Sequence, residues 1–559
     1  MRRPLRAAVL SVLLVSLALC SCARPGPAGS GQGPAEPMGR LPGLDRFYAQ
    51  KPSWGPCPPF AQTDDQREEY AAPGLVCARL EVPLDYTRPT GRTAQLGLLR
   101  RPTSPQKKTG SLVVNPGGPG ESGMELAATL TDSLAGGPFD IVGFDPRGVG
   151  ASTPAIDCDN DAEIDASRAD SDRDYSPAGV ARAEDKARRR AQRCVERSGG
   201  PDVLANSGTR DVARDLDILR EVLGDAKLTF LGFSYATRIG ETYAEQFPDK
   251  VRAMVLDGAI DPQQTDVDRD VAGMAAFQRA FQTYASDCTS RPGCPLGRDP
   301  ARAVAAFQAL TRPLIDHPAK VRRDTRPLTF ADAITATDSA MYDQAQWPWL
   351  TRGLVALRAG DGTTLMHMAD TSFGRDDAGH YGNVEEAQMV VNCVDGDRIT
   401  DRAVVTEESR RIDAVAPYAD DGRGPSGALD TCAFLPVTPT SGPHTPVLAP
   451  GVPPILVVST TGDPATPYQA GVDLAAALHG KLLTVVGNQH TAVDEGNFCA
   501  NRVAGGYLAH PDQPLRADRC VMDAVEAAGA ATKPATKPAP GTSPGTSPGT
   551  SQSDVTHPN

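Results

Sequence analysis

A serine stands between an apolar run and a helix-like run in the stretch LTFLGFSYATRIGETYA, residues 228–244. Small residues lie two positions before it and two after it, at Gly232 and Ala236. A sharp strand-to-helix turn lifts such a serine above the carboxyl edge of a sheet, and the crowded backbone there needs small neighbours. The usual pattern has glycine at both positions, so Ala236 is a departure. We take Ser234 as the candidate nucleophile.

A serine nucleophile needs a histidine as its base. Of the eight histidines, His479, His490 and His510 lie near the last apolar runs of the chain. His490 follows the run LLTVVG in a glycine-containing loop, whereas the other two are typical of helix or surface positions. These positions favour His490 as the base.

The base in turn needs an acid, which follows the serine and precedes the histidine in this type of site. Asp463, in VVSTTGDPATP, stands at the end of a strand-like run, and Asp257, in VLDGAIDP, ends an earlier one. A turn or helix-cap role would explain GDPATP equally well. The loop and strand after Asp463 lead straight to His490, which favours Asp463 over Asp257.

The stretch NPGGPGESG, residues 115–123, follows the first apolar run of the predicted sheet and supplies bare backbone for a ligand to approach. Its two prolines have no N–H group to donate. The donors to a developing oxyanion are therefore Gly117 or Gly118, with Gly118 preferred, together with the amide of Tyr235. Taken alone, a Gly/Pro run is most often only a turn.

Short apolar runs ending in turn residues alternate with helical patterns along the chain. This alternation predicts an α/β fold with a mostly parallel sheet and helices on both faces. Residues 262–440 read as a helical insertion lying over the sheet, and the charged segment from Cys158 to Cys194 as a solvated helix. The predicted strands are SLVVN, FDIVGFD, KLTFLGF, VRAMVLDG, PPILVVST and KLLTVVG.

The ends of the chain differ from its middle. A basic start and a short apolar run predict an export signal over 1–21. LCSC, ending at Cys22, favours a lipoprotein signal with lipidation of Cys22, against the alternative of an ordinary cleaved signal. We expect a tether over 22–45, a core over 46–261 and 441–528, a cap over 262–440 and a disordered tail over 529–559.

The totals limit the possible partners and location. The chain has 559 residues and a net charge of −13, which argues against nucleic acid. Export predicts an extracellular or cell-surface protein, held to the outer face of the cell membrane only through the lipid. We expect a monomer.

Ten of the twelve cysteines follow Cys22, and an even set in an exported chain predicts disulfides. Their clustering suggests sequential pairs, although connectivity does not follow from sequence. Without a CxxC or HExxH pattern, a metal site is not expected. The sequential pairs are Cys57–Cys77, Cys158–Cys194, Cys288–Cys294, Cys393–Cys432 and Cys499–Cys520.

Six motifs together resemble the secreted tripeptidyl aminopeptidases of actinobacteria, relatives of prolyl aminopeptidases with the α/β-hydrolase fold. The resemblance spans roughly residues 54–521. It implies a nucleophile at Ser234, an acid at Asp463 and a base at His490, without metal or organic cofactor. Ala236 and Asn115, where relatives often have glycine and histidine, depart from the family pattern. The motifs are NPGGPGESG, GFDPRGVGAST, GFSYAT, LDGAIDP, STTGDPATP and GNQH.

The resemblance implies an exopeptidase that releases short peptides, tripeptides in the first instance, from free N-termini. Such a pocket needs a carboxylate for the substrate's amino group. Glu385 and Glu386 in the helical insertion are the candidates, with Asp395 and Asp397 behind them, although acidic residues on a helix are usually solvated. An esterase on the same fold is the alternative, and a binding protein with an inert hydrolase scaffold is a further contrast.

Overall fold

A mostly parallel sheet of nine strands lies at the centre of the protein, in a computed structural model that describes residues 43–522 apart from 105, 107, 132, 133, 135, 136, 171 and 172. The predicted signal peptide, Cys22 and the tail from 529 lie outside the described residues. Leu44 is buried and the first helix begins at Asp45. Packed structure therefore begins inside the segment 22–45 that the sequence predicts to be a tether.

The sheet follows the alternating pattern of the sequence. Its strands run in the order β1-β2-β4-β3-β5-β6-β7-β8-β9. β2 pairs antiparallel with β1 and β4, and the other neighbouring pairs are parallel. In chain order the strands are β1 (Val76–Pro83), β2 (Thr93–Arg101), β3 (Gly110–Asn115), β4 (Phe139–Phe144), β5 (Leu228–Phe233), β6 (Val251–Asp257), β7 (Leu456–Thr460), β8 (Lys481–Val486) and β9 (Arg519–Val521).

The six predicted strands correspond to β3–β8, whereas β1, β2 and β9 were not predicted. β1 pairs with β2 along its whole length, and both strands mix polar or charged residues with apolar ones, so they do not read as short apolar runs. β9 has three residues.

Helices surround the sheet and form the insertion above it. The α-helices bounded within the described residues are α1 (Asp45–Tyr48), α2 (Asp64–Tyr70), α3 (Gly123–Thr129), α4 (Asp161–Ala169), α5 (Pro177–Arg197), α6 (Pro201–Ala205), α7 (Thr209–Val222), α8 (Ala236–Gln246), α9 (Asp266–Ser290), α10 (Ala303–Thr311), α11 (Phe330–Met341), α12 (Trp347–Arg358), α13 (Thr363–Ser372), α14 (Val384–Asp395), α15 (Arg402–Val415), α16 (Tyr468–Ala477) and α17 (Phe498–Ala509).

Both faces of the sheet are covered. On one face α1, α7, α8 and α16 pack apolar side chains such as Leu216 and Ile239 against the strands. On the other face α3 and α17 do the same, with Met124 and Tyr507. A parallel sheet with both faces buried explains why its strands read as nearly continuous apolar runs. The prediction of an α/β fold is confirmed.

The segment 262–440 contains α9–α15 and has an apolar cluster of its own. Aromatic side chains fill it, and the rings of Phe281 and Tyr418 stack with centroids 5.0 Å apart. Phe307 meets Phe281 edge-on at 5.0 Å. We call this segment the cap. Because the cap has its own core, its shape does not depend on the sheet alone.

The charged segment between Cys158 and Cys194 differs from its prediction as one solvated helix. It contains α4 and most of α5. Arg168, near the end of α4, is 8% exposed and donates hydrogen bonds to Asp332 on α11 and Asp370 on α13. Part of the charge is therefore buried in ion pairs with the cap, a tertiary contact that local composition does not reveal.

Disulfides join the cysteines in the sequential pattern that their clustering suggested. They close short loops at the edge of the sheet, at the base of α5 and inside the cap. None of the helices in the described part of the chain has the length and apolar character that crossing a membrane requires. The pairs are Cys57–Cys77, Cys158–Cys194, Cys288–Cys294, Cys393–Cys432 and Cys499–Cys520.

Candidate active site

Ser234 occupies the turn between β5 and α8, with a φ of 53°. This left-handed conformation is strained for a serine and turns its side chain out of the path of the strand. The Ser234 N–H donates to the carbonyl of Asp257 at 2.8 Å. A Cβ atom at Gly232 would lie 2.8 Å from the carbonyl oxygen of Ala236, so a larger residue does not fit there. The methyl group of Ala236 is fully buried, which shows how the turn accommodates the departure from glycine.

His490 follows β8 and meets Asp463, which follows β7. The Nδ1 atom of His490 lies 3.0 Å from each carboxylate oxygen of Asp463. Asp463 also accepts hydrogen bonds from the backbone N–H groups of Ala465 and Thr466 and from the Thr466 hydroxyl. These donors hold the carboxylate in place for the imidazole.

The pKa of His490 reflects opposing effects. Burial lowers it, but the charge and hydrogen bond of Asp463, together with the charges of Asp257 and Glu121, outweigh burial. The net result is a pKa raised above 6.5. A histidine that binds a proton more firmly is a stronger base for a serine hydroxyl. No hydrogen bond between the Ser234 hydroxyl and His490 is formed among the described residues, a common feature of sites without substrate.

Asp257, the alternative acid, has a different role. Its Oδ2 accepts the N–H groups of Ala492 and Val493 at 2.8 and 2.7 Å. Its Oδ1 is buried and has no hydrogen-bond partner in the described structure. Burial is the main cause that raises the pKa of Asp257 to about 7. Asp257 therefore fixes the loop after His490, and Asp463 is the residue that contacts the imidazole.

The glycine-rich loop after β3 lies against the serine turn. A Cβ atom at Gly117 would lie 2.5 Å from the carbonyl oxygen of Phe233 and 2.9 Å from the amide nitrogen of Tyr235. The Gly117 N–H donates to Asn115 Oδ1 at 3.1 Å. In the part of the chain described, the N–H groups of Gly118 and Tyr235 have no acceptor. This leaves Gly118 and Tyr235 as the pair available to an oxyanion, the pair that the sequence favours.

The side chain of Tyr235 is fixed by buried hydrogen bonds to Thr209 and Asp395. Its hydroxyl shares a hydrogen bond with Thr209 and donates to Asp395 at 3.4 Å. Asp395 is fully buried and also accepts the Thr209 N–H at 2.9 Å. Asp395 therefore supports the turn and does not face a substrate, whereas Asp397 is exposed and its N–H contacts Asp266.

The neighbours Glu385 and Glu386 face different surroundings. Glu386 is buried and accepts the N–H groups of Cys158 and Asp159 at 3.0 and 2.6 Å. Burial raises the pKa of Glu386 to about 7. These contacts place the Glu386 carboxylate at the loop before α4. Its oxygens bind backbone N–H groups there and do not face the Ser234 turn.

Tyr342 and Glu121 adjoin the site and were not singled out in the sequence. The Tyr342 ring meets the His490 ring edge-on at 5.2 Å, and its carbonyl accepts the His490 N–H at 2.9 Å. Burial raises the pKa of Tyr342, and the charges of Glu121, Asp463 and Glu385 raise it further. Glu121 lies within the motif NPGGPGESG, which was a usable signal, whereas nothing local marks Tyr342.

Comparison with known proteins gives consistent matches. Residues 110–497 match the family described as alpha/beta hydrolase fold. The chain is 47% identical over 458 residues to the serine protease Hip1 of Mycobacterium tuberculosis, covering 80% of this chain and 87% of that protein. It is 44% identical over 528 residues to carboxylesterase B of the same species, covering 93% and 98%. It is 29% identical over 460 residues to the tripeptidyl aminopeptidase of Streptomyces lividans, covering 78% and 81%.

The fold, the serine turn and these matches define a serine hydrolase. The chain belongs to the α/β-hydrolase fold family. Its resemblance to the actinobacterial tripeptidyl aminopeptidase group is confirmed. The relatives carry the names of a protease and of an esterase, so the kind of acyl substrate has to be argued from this chain's own residues.

Proposed function

We propose that this protein is an exported serine exopeptidase that releases short peptides, tripeptides in the first instance, from free N-termini. The observation that carries the proposal is the His490–Asp463 pair beside the Ser234 turn and the Gly118 and Tyr235 amides, with the charges of Glu121 and Glu385 acting on the neighbouring Tyr342. The protease names of two relatives support it.

The chemistry is acyl transfer. His490 Nε2 takes the proton of the Ser234 hydroxyl, which attacks the carbonyl carbon of the scissile bond. The amides of Gly118 and Tyr235 donate to the oxyanion. His490 then gives its proton to the leaving amine. In the second half of the reaction His490 takes a proton from water, the water oxygen attacks the acyl carbon, and the proton returns to Ser234 as the acyl group leaves. Asp463 stabilises the imidazolium and keeps its Nδ1 proton in place.

Selection for a free N-terminus needs negative charge at a set distance from Ser234. Glu121 and Glu385 both act electrostatically on Tyr342, which contacts His490. An ammonium group of the substrate would interact favourably with these carboxylates. Glu386 is not proposed to bind the ammonium group, because its oxygens already accept two backbone N–H groups.

An esterase is the second candidate, favoured by the name of the carboxylesterase relative. The test is hydrolysis of a tripeptide chromogenic amide with a free amine, beside its N-acetylated twin and a simple ester, by the wild type and by Ser234→Ala. Cleavage of the free-amine amide alone, lost in the variant, supports the exopeptidase. Cleavage of the ester while both amides stay intact supports the esterase.

The neighbouring glutamates offer a matched pair of variants. We expect Glu385→Gln to raise KM for the free-amine amide by about tenfold, because one charge-assisted contact is lost, with little change for the ester. Glu386→Gln should lower thermal stability and leave KM unchanged. Equal KM values for Glu385→Gln and the wild type would contradict the role given to Glu385.

Export and lipid anchoring at Cys22 are part of the proposal and rest on the N-terminal sequence. The protein would then act as a monomer on extracellular peptides. Fractionation of cells that carry the wild type or Cys22→Ala tests this. The wild type should follow the membrane fraction and the variant the soluble one, and an equal distribution would refute the anchor.

A further inference from the structure

A second cluster of reactive side chains lies two turns along α8 from Ser234. Glu241 and Glu245 are one helical turn apart, and His444 reaches them from the segment that joins the cap to β7. The Nε2 atom of His444 lies 3.2 Å from Glu241 Oε1 and 3.0 Å from Glu245 Oε2. These residues play no part in the acyl transfer described above.

The orientation of His444 is that of a metal ligand. Its Nδ1 lies 3.1 Å from the carbonyl oxygen of Gly442. In the tautomer whose Nδ1–H donates to this carbonyl, the lone pair is on Nε2, the atom that faces the two carboxylates and from which a metal ion would displace a proton. Glu245 is supported in the same way, since its Oε1 accepts the Val447 N–H at 2.7 Å.

A second observation points to a cation. The Glu241 side chain is 1% exposed, and its Oε2 is buried without a hydrogen-bond partner in the described structure. An ionised oxygen in that position is costly unless a positive group meets it. An ion bound at Glu241 Oε1 would put positive charge beside this buried carboxylate and would also neutralise the charge of Glu245.

The distances fit a small ion. Metal–ligand bonds of about 2.0–2.2 Å in a tetrahedral site place neighbouring ligand atoms roughly 3.3 Å apart. The two distances from His444 Nε2 to the carboxylate oxygens, 3.0 and 3.2 Å, are close to that separation between ligand atoms. The ligand atoms of all three residues lie within 4.8 Å of one another. Glu245 and His444 are 16% and 37% exposed, so the cluster is open to entry of an ion and water.

We propose that Glu241, Glu245 and His444 bind one divalent transition-metal ion such as Zn²⁺, with water as the fourth ligand. The imidazole favours this class of ion over Mg²⁺ or Ca²⁺, which prefer oxygen ligands alone. The sequence did not predict the site, because its ligands come from an i, i+4 pair and a histidine far along the chain. The ion would fasten the cap-to-β7 segment to the helix that carries the serine turn.

The test uses the purified full chain, freed of metal with a chelator and then dialysed. Zn²⁺ binding is followed by calorimetry, and Co²⁺ binding by the visible absorption of the tetrahedral ion. The variants are His444→Asn and Glu245→Gln. His380→Asn is the matched control, since His380 also contacts a carboxylate, at 2.9 Å from Asp161, but lies outside the cluster.

The wild type and His380→Asn should bind one ion, with higher affinity for Zn²⁺ than for Mg²⁺ and with a raised Tm when Zn²⁺ is present. His444→Asn should weaken binding by at least about 100-fold. If His444→Asn fails to fold, Glu245→Gln and the Co²⁺ spectrum of the wild type decide in its place. A wild type that binds no ion at micromolar Zn²⁺, or a His444→Asn variant that binds like the wild type, would overturn the proposal and leave a plain ion pair.

Discussion

The loops at the strand ends and the cap place their functional groups by different means. At the strand ends, Ser234, Asp463 and His490 each follow a strand of the parallel part of the sheet, and the neighbouring ends of β7 and β8 bring Asp463 and His490 into contact. In the cap, the direction of a charged side chain depends on contacts between helices that are far apart in sequence. Glu385 and Glu386 show this, because adjacent residues on one helix face different surroundings.

The ion pairs of the cap are the clearest sign of this difference. Arg168 donates to Asp332 and Asp370, and Arg326 donates to both oxygens of Asp370. These groups come from α4, from α11, from α13 and from the loop before α11. The contact between α4 and the cap therefore depends on partly buried charge, whereas the candidate catalytic groups are placed by the ends of the strands.

The largest effect should come from Asp463→Asn. Loss of the carboxylate leaves the imidazolium without its partner and allows the wrong tautomer, so kcat should fall by about 10⁴-fold, while Tm changes little. Turnover of an ester and of a peptide amide, with circular dichroism as the check on folding, measures this.

Asp257→Asn is the matched control for that variant. Asp257 contacts backbone amides and not the imidazole, so kcat should fall much less in Asp257→Asn than in Asp463→Asn. If Asp257→Asn impaired kcat as severely as Asp463→Asn, the assignment of the acid would be wrong.

A smaller effect, on stability, is expected in the cap from Arg168→Met. The change leaves the buried Asp332 and the partly buried Asp370 without this partner and should lower the free energy of unfolding by about 3 kcal/mol. Arg410→Met is the control, since the Arg410–Glu407 pair is exposed and its loss should change the free energy of unfolding far less. Urea unfolding of both variants gives the comparison. Similar losses in the two variants would show that the cap does not depend on its buried charges.

The smallest effect concerns pH. His490 must be neutral to accept a proton, and its pKa is raised above 6.5, so kcat/KM should fall on acidification with a midpoint above pH 6.5. Burial opposes this shift, whereas Asp463, Asp257 and Glu121 favour it. Glu121→Gln should therefore move the midpoint to lower pH. A pH profile of ester turnover for the wild type and Glu121→Gln tests this, and a midpoint that stays in place or rises would contradict the effect of Glu121 on His490.

The sequence predicted the parts that local rules control. The strands β3–β8 are apolar runs, and the groups at their ends follow from chain order, as Asp463 and His490 show. The antiparallel strands β1 and β2 were missed because polar or charged residues are mixed with their apolar ones. Tyr342 and the partners of Arg168 were missed, and Asp395 was placed behind the candidate substrate carboxylates, because tertiary packing alone gives these residues their roles.

Reaction with a serine-reactive fluorophosphonate, followed by mass spectrometry of the labelled peptides, tests the role of Ser234 most directly. We expect one adduct, on Ser234, in the wild type, no adduct in Ser234→Ala and slower labelling in Asp463→Asn. A label on another residue, or an unlabelled wild type that still hydrolyses an ester, would contradict the claim that the Ser234 turn carries the chemistry.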